Sequence, residues 1–450
     1  MARAKKETAL TPEERLRAAL VPDWEWPYKL PENWCWTRHN SIMDIVGGAQ
    51  PEKAFFIRES KEGYVQLYQT RDYGENPVPV YIPQKYATKT TDEGDILLAR
   101  YGGSLGKVFR AHKGAYNVAL AKVIILYPEV VDDEFLYLYY YSHFYQDFCI
   151  KAGYGRSAQA GFNKSDLNEL LFPLPPFIEQ QRIVDRIESL FAKLDEAKEK
   201  AQAVVDSFET RKAAILHKAF TGELTAKWRK EHGVGMESWE VRTLDSVCSS
   251  IFDGDHMPPP KAESGIPFLV ISNVNTGHLT FENTRFVPQE YYDTLSDTRK
   301  PQLGDVLYTL VGSFGIPVVV NSKRPFCFQR HMALLRPIDV SPQFLWYILQ
   351  TPEMYDKASS IATGTAQLTV PIKGLRAMTI PRPNIAEQVE IVRILDGFFA
   401  REQSAKEAAE AVLDQINLMK KSILARAFRG ELGTNDPSEE SAVELLKQII

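Results

Sequence analysis

Long apolar runs are missing from this chain. No stretch approaches the ~18 residues that a membrane-spanning helix needs. The N-terminus, Met1–Leu16, is charged and has no apolar signal-peptide core. Cysteine is scarce: Cys35, Cys149, Cys248 and Cys327 are scattered, with no Cys-x-x-Cys pair. That fits a reducing cytosol and offers no zinc site. The eight histidines show no metal-ligand spacing either. We expect no bound metal, no membrane partner and a cytoplasmic location.

Nucleotide-binding loops are also missing. Gly102-Gly103-Ser104-Leu105-Gly106-Lys107 evokes a phosphate loop, but Tyr101 stands for the first Gly and Val108 for the magnesium-binding hydroxyl. Gly-x-Gly occurs only as Gly233-Val234-Gly235 in a polar linker, where flexibility is the expected reason. Glu196-Ala197-Lys198 resembles a nuclease fragment, but it lies in a heptad helix with no Pro-Asp nearby and reads as a solvated face.

What remains is ordinary in bulk and unusual in order. The 450 residues are 44% hydrophobic and 25% charged, enough for two to four globular domains. Net charge is −5, of which the tail after Leu432 carries −3. The remainder is near neutral, so nucleic-acid binding stays open if basic groups cluster on one face.

The chain repeats itself. Phe172–Leu224 returns without a gap as Ile380–Leu432, at an offset of 208 residues. Glu179-Gln180 meets Glu387-Gln388, Phe191 meets Phe399, and AFTGEL (Ala219–Leu224) meets AFRGEL (Ala427–Leu432). Such a repeat makes the molecule pseudo-symmetric and suits it to hold two similar things at once.

Thr11-Pro12-Glu13-Glu14 is a capping box opening a short helix to about Leu20. After the Pro- and aromatic-rich Trp24–Trp34, the texture is short strands and turns. Gly94–Ala99 and Lys122–Leu126 read as strands, and Glu134–Cys149 as one helix. Ile183, Ile187, Leu190, Leu194, Ala197, Ala201, Val204 and Phe208 then alternate by four and three. This heptad seam predicts a helix from about Ile178 to Lys218, ~60 Å long, with Gly222 as its C-cap. The second half repeats the order from Trp239, as Trp34 began the first. Gly304–Leu307 matches Gly94–Leu97, Gly312–Gly315 matches Gly103–Gly106, Phe344-Leu345 matches Phe135-Leu136, and Ala366-Gln367 matches Ala158-Gln159. Its helix spans about Ala386–Arg426, with a seam of Ile391, Leu395, Phe398, Glu402, Ala405, Ala409, Val412, Ile416, Met419 and Ile423. Glu402 is a local flaw on that seam or a place where a partner intrudes. The expected divisions are 1–35 (N-terminal helix and connector), 36–176 (first domain), 177–225 (spacer helix), 226–238 (linker), 239–384 (second domain), 385–432 (spacer helix) and 433–450 (acidic tail). The helices match without a gap while the domains have drifted apart, so the helices answer to one shared demand and the domains to two.

Each half ends in Ala-Gln, Pro-x-Pro, Glu-Gln, a heptad helix and Ala-Phe-x-Gly-Glu-Leu. In this combination the chain resembles the specificity subunit of type I restriction–modification enzymes over nearly its whole length. The resemblance implies an α+β fold: two mixed α/β target-recognition domains separated by two long antiparallel coiled-coil helices, in a pseudo-two-fold internal repeat. It also implies a non-catalytic subunit that reads a bipartite site on double-stranded DNA. The helices would dock two copies of a modification methyltransferase subunit, joined by restriction (motor–nuclease) subunits. This chain would bind no cofactor; S-adenosylmethionine, ATP and magnesium would belong to the partner subunits. In agreement, the nearest approach to an aminomethyltransferase motif is Leu174-Pro175-Pro176-Phe177, where Leu174 cannot accept from a target amine. It reads as a stiff hinge into the helix. Two rival classes are a self-contained methyltransferase or nuclease, and a stand-alone DNA-binding scaffold or repressor.

Base readout needs side chains with paired donors or acceptors on loops above a stable sheet. Four loops per domain are candidates. The first offers Gln69, Arg71 and Tyr73, matched by Ser272 and Asn273. The second offers Arg100, Ser104 and Lys107, matched by Ser313 and Phe314. The third offers Asn117, matched by Gln329, Arg330 and His331. The fourth offers Arg156, Ser157 and Gln159, matched by Thr365 and Gln367. Gln159 and Gln367 are the leading pair: Gln engages adenine bidentately or holds a phosphate. Capping of the following helix is the alternative. Arg71, Arg100 and Arg156 read guanine, hold phosphate or sit in surface ion pairs. His331 is more simply a hydrogen-bonded turn residue. Glu179-Gln180 and Glu387-Gln388 fit a helix start through its dipole, with partner contact the alternative. The apolar heptad positions, among them Ile183, Ile187, Leu190, Leu194, Val204, Phe208, Ile391, Leu395, Phe398, Val412 and Ile416, are assigned to helix pairing.

Overall fold

The computed structural model describes residues 11–154, 161–254, 259–365 and 367–450. The chain divides into two units, and each draws on both repeats. The first joins the chain up to Lys200 with Ala411–Ile450; the second is Ala201–Glu410.

In the first unit, Cys35–Arg38 pairs antiparallel with Leu171–Leu174, tying the start of the globular domain to its end. Between them lie two four-stranded sheets. One orders Met43–Gly47, Leu120–Ile125, Ile96–Ala99 and Val108–Arg110, all antiparallel. The other orders Tyr81–Pro83, Tyr64–Tyr68, Gly114–Tyr116 and Thr90–Thr91, with Tyr64–Tyr68 parallel to Gly114–Tyr116. The second unit follows the same plan. Glu240–Thr243 pairs with Thr379–Arg382. Cys248–Asp253, Met332–Pro337, Val306–Thr309 and Pro317–Val319 form one sheet; Arg285–Val287, Ile266–Leu269 and Cys327–Phe328 form the other, again with one parallel pair. Ile96–Ala99 and Val306–Thr309 are buried throughout, as runs without polar alternation are when both strand faces are covered.

Several local expectations change. Gly94-Asp95 forms the turn before its strand, which starts at Ile96. The single helix expected over Glu134–Cys149 is two, Asp133–Tyr139 and His143–Tyr154. The Asp132 carboxylate caps the first by accepting from Phe135 N. The first long helix is also interrupted, into Phe177–Asp206 and Phe208–Phe220. Ser207 separates them; its hydroxyl bonds back to the Ala203 carbonyl and accepts from Arg211, competing with the regular ladder. The second long helix, Ile385–Ala427, is continuous.

The heptad seam covers more than helix pairing. Ile183 and Ile187 bury in the first domain's core with Phe135 and Phe172, and Ile391 and Leu395 bury in the second's with Phe344 and Ile380. Val412, assigned to pairing, is 40% exposed. A period of 3.5 reports that one face is covered; a domain surface satisfies it as well as a helix does. Within each unit the long helices lie side by side. In the first, Asp195 pairs with Lys420, and Ile183 and Ile187 share a core with Leu424 and Ala427, while Arg182 pairs with Glu439 of the tail. In the second, Lys406 lies over the Phe208 ring and Arg211 Nε donates to Glu402 Oε2 at 2.7 Å. The flaw at Glu402 is therefore an ion pair with the neighbouring helix.

Both repeated motifs have structural roles. Glu179, Gln180, Glu387 and Gln388 are fully buried. Gln180 Oε1 accepts from Asp132 N, and Gln388 Oε1 accepts from Ser341 N. Each thus grips the N-cap residue of a domain helix. Trp34 Nε1 donates to Glu179 at 2.8 Å, and Trp239 Nε1 to Glu387 at 3.0 Å. Glu387 further accepts from Thr225 and from buried Arg229, both at 2.7 Å. These are internal latches between helix and domain, and the dipole is secondary. The Ala-Phe of the closing motif is a plug. Phe428 meets Phe135 and Tyr139 edge-on or tilted, with ring centroids 5.1 and 5.6 Å away; Phe220 meets Phe344 at 5.3 Å.

The linker and tail are ordered. Ala226–His232 is a helix, and Gly233 ends it in the left-handed region (φ 64°), so geometry explains that glycine. The tail forms the helix Ala442–Ile449, with Ala442 and Leu446 fully buried. Asn33 anchors it, its carbonyl accepting from Ala442 N and its amide donating to the Asp436 carbonyl. No described helix is long and apolar enough to cross a membrane.

Candidate nucleic-acid interface

The second domain brings its four loops to one end of its sheets. Gln329 N donates to the Leu269 carbonyl, joining the third loop to the base of the first. Leu310 N donates to the His331 carbonyl, joining second to third. Gly312 N donates to Leu368 O and Val370 N to Leu310 O, joining second to fourth. Gln367 is exposed and lies across Gly312: a Cβ there would sit 3.0 Å from its Nε2. Small residues at this position let the amide lie against the loop.

The first domain converges in the same way. Asn117 N donates to Tyr68 O, Arg100 N to Ala119 O, and Phe162 N to Arg100 O. Arg100 is the hub, because its Nη2 also donates to Val118 O at 2.9 Å and its guanidinium lies over Tyr101.

This placement separates the candidates. Asn273 is buried; its Oδ1 accepts from Val270 N and its Nδ2 donates to Glu282 O, so it shapes the loop instead of facing outward. Asn117 does similar work, accepting from Ala119 N. Phe314 is buried and stacks on Tyr355, with centroids 5.4 Å apart. Tyr73 stacks on Phe109 at 4.5 Å, and burial pushes its hydroxyl up to about 12. These four, with the tethered Arg100, are loop supports. Sequence spacing cannot tell a loop's anchor from its tip, because both are polar or aromatic residues beside glycines.

Arg71, Lys107, Ser272, Ser313, Arg330, Thr365 and Gln367 are exposed, while Gln69, Ser104, Gln329 and His331 are half-buried. Gln329 Nε2 lies 2.5 Å from His331 Nδ1 and donates to it, which leaves Nε2 of a neutral ring as a free donor. Burial, then the Arg330 charge, holds the His331 imidazole below its ordinary value, favouring that neutral form. Arg156, Ser157 and Gln159 lie outside the described residues. Gly102–Ser104 is a single tight turn followed by the strand Val108–Arg110, with no helix N-terminus to receive phosphate.

Comparison with known proteins agrees with a duplicated reader. The family described as type I restriction modification DNA specificity domain matches residues 31–205 and again 236–413. This chain belongs to that family. It is a specificity subunit of the type I restriction–modification class, with two DNA specificity domains. The EcoKI specificity subunit of Escherichia coli strain K12 is 26% identical over 94% of this chain and 96% of its own length. The MjaVIII specificity subunit of Methanocaldococcus jannaschii is 25% identical over 90% and 94%. The HsdS subunit from Thermoanaerobacter tengcongensis shares the fold, with a TM-score of 0.62 at 21% identity, covering 90% of this chain and 99% of that one. A chain from a type I restriction–modification structure on complex assembly and conformational transition superposes with a TM-score of 0.67 at 22% identity, covering 90% and 100%.

Proposed function

We propose that this specificity subunit reads a bipartite, asymmetric site on double-stranded DNA, one half-site per domain, and performs no chemistry itself. The observation that carries this reading is the pair of loop platforms: the same topology, the same loop convergence and different exposed side chains. One frame presenting two sets of donors suits two different half-sites. The paired helices set the register between the two readings, so two short sequences act as one long site. Their exposed faces hold two copies of a methyltransferase subunit, and through these the ATP-dependent restriction subunits. S-adenosylmethionine, ATP and magnesium serve those partners. The base-contacting residues are Gln367, Thr365, Ser313, Gln329, Arg330 and His331 in the second domain, and Ser104 and Lys107 in the first.

The test is a methylome of cells carrying the partner subunits with and without this chain. A split methyladenine motif should appear only with it, and exchange of residues 36–172 for another such domain should change one half of that motif alone. A soluble, partner-bound chain that yields no motif would overturn the reading in favour of a scaffold.

A further inference from the structure

One face of the first domain gathers cations that form no ion pair among the described residues. Gln50, Lys53, Arg58, Gln69 and Arg71 line a recess of about 510 Å³, with Pro51, Phe56 and Val80 as its apolar floor. No carboxylate lines it. The nearby Asp72 is committed elsewhere, accepting from Gln69 N and Val78 N. Lys53, Arg58 and Arg71 are exposed and form no ion pair with a described residue, whereas Arg38, Arg110, Arg182, Arg336 and Arg382 are all paired. Gln69 Nε2 is enclosed and has no hydrogen-bond partner among the described residues. Three unpaired like charges around one hollow, in a chain of net charge −5, point to a polyanion as the missing partner.

Local folding fixes this arrangement. Lys53 and Arg71 stand on short 3-10 turns, Lys53–Phe55 and Thr70–Tyr73. Arg58 follows the bridge between Ile57 and Tyr81, which holds its segment against the same sheet. The recess therefore flanks the first reader loop: Gln69 follows Tyr68, whose carbonyl anchors the third loop.

The second domain lacks this device at the equivalent turn. Gln69 and Asp72 occupy the capping positions that Val270 and Asn273 occupy there, so Arg71 corresponds to Ser272. Both the amide and the charge are gone.

We propose that Lys53, Arg58 and Arg71, with the Gln50 amide, grip consecutive DNA phosphates beside the first half-site. The grip on DNA is consequently asymmetric, with the first domain contributing more of the sequence-independent, salt-sensitive hold. This rests on the DNA-reading function proposed above and adds residues and a mode of contact to it.

The test measures affinity against salt for the full chain in complex with its methyltransferase subunits, on the target duplex and on a random-sequence duplex. Lys53→Gln, Arg58→Gln and Arg71→Gln are combined; all three are surface positions, and circular dichroism checks the fold. Each lost phosphate contact removes about 0.9 from the slope of log K against log salt. A fourfold rise in salt should therefore cost the triple variant roughly 40-fold less affinity than it costs the wild type. The loss at low salt should be equal on both duplexes. An unchanged slope would overturn the proposal, and a loss confined to the target duplex would reassign Arg71 to base reading. Failure of the wild-type complex to bind either duplex would instead overturn the DNA-reading function itself.

Discussion

Glu387→Gln is the most demanding single change for this architecture. Glu387 is fully enclosed and faces three donors: Thr225 and Arg229 at one carboxylate oxygen, both 2.7 Å away, and Trp239 at the other, 3.0 Å away. A carboxylate accepts from all three. An amide of the same shape accepts at one end only, so its NH2 must face a donor, at a cost of about 1–3 kcal/mol. The substitution also strands Arg229, which is buried and cannot deprotonate. Breaking a buried pair from one side costs about 3–5 kcal/mol, and that range includes the lost hydrogen bond. The two units need not unfold together, so hydrogen exchange in Ala226–His232 and the first turns of Ile385–Ala427 is a better readout than one melting temperature. We expect protection there to fall by about 3–5 kcal/mol, and the double change Arg229→Met, Glu387→Met to recover most of it. A loss below about 1 kcal/mol would refute the reasoning, since that is the scale of a solvated surface pair.

Glu179, Phe428 and Gln367 give further tests. Glu179 occupies the equivalent position with Trp34 and Thr434 as donors and no cation in contact, because Arg182 is held by Glu439; Glu179→Gln should cost less than Glu387→Gln. Burial, opposed by the Trp34 hydrogen bond and the Arg182 charge, holds the Glu179 carboxyl above its ordinary 4.5. Its contribution to stability is thus fully present below about 4.5 and lost as pH rises through the folded value, and a wild-type advantage over Glu179→Gln that grew with pH would contradict this. Phe428→Ala empties a fully buried site against Phe135 and Tyr139 and should cost about 3–5 kcal/mol, read by exchange in the first unit; a cost under about 1 kcal/mol would show that the plug is dispensable. Gln367→Ala should weaken binding through the second half-site by about 1–3 kcal/mol, while equal loss on scrambled DNA would make Gln367 a phosphate contact.

Order along the chain was enough to reveal the repeat, its offset, the two mixed domains and the two long helical segments. Correspondence between Phe172–Leu224 and Ile380–Leu432 is a statement about order, which needs no coordinates. It also marked the residues that turned out to be latches and plugs, Glu179-Gln180 and the Ala-Phe endings, without showing what they do. Their work is done across long sequence separations, Trp34 to Glu179 and Thr225 to Glu387, which no local pattern encodes. That each compact unit takes one end from each long helix became visible in the fold alone. Only it showed that Ile183 and Ile391 face domain cores, that Val412 faces outward, and that the acidic tail folds against Asn33. Periodicity records that a face is buried and is silent on the surface that buries it. The loops show the same limit. Asn273 and Gln367 are alike as polar side chains in turns, and one is an anchor and the other a tip only because of which backbone groups lie within reach.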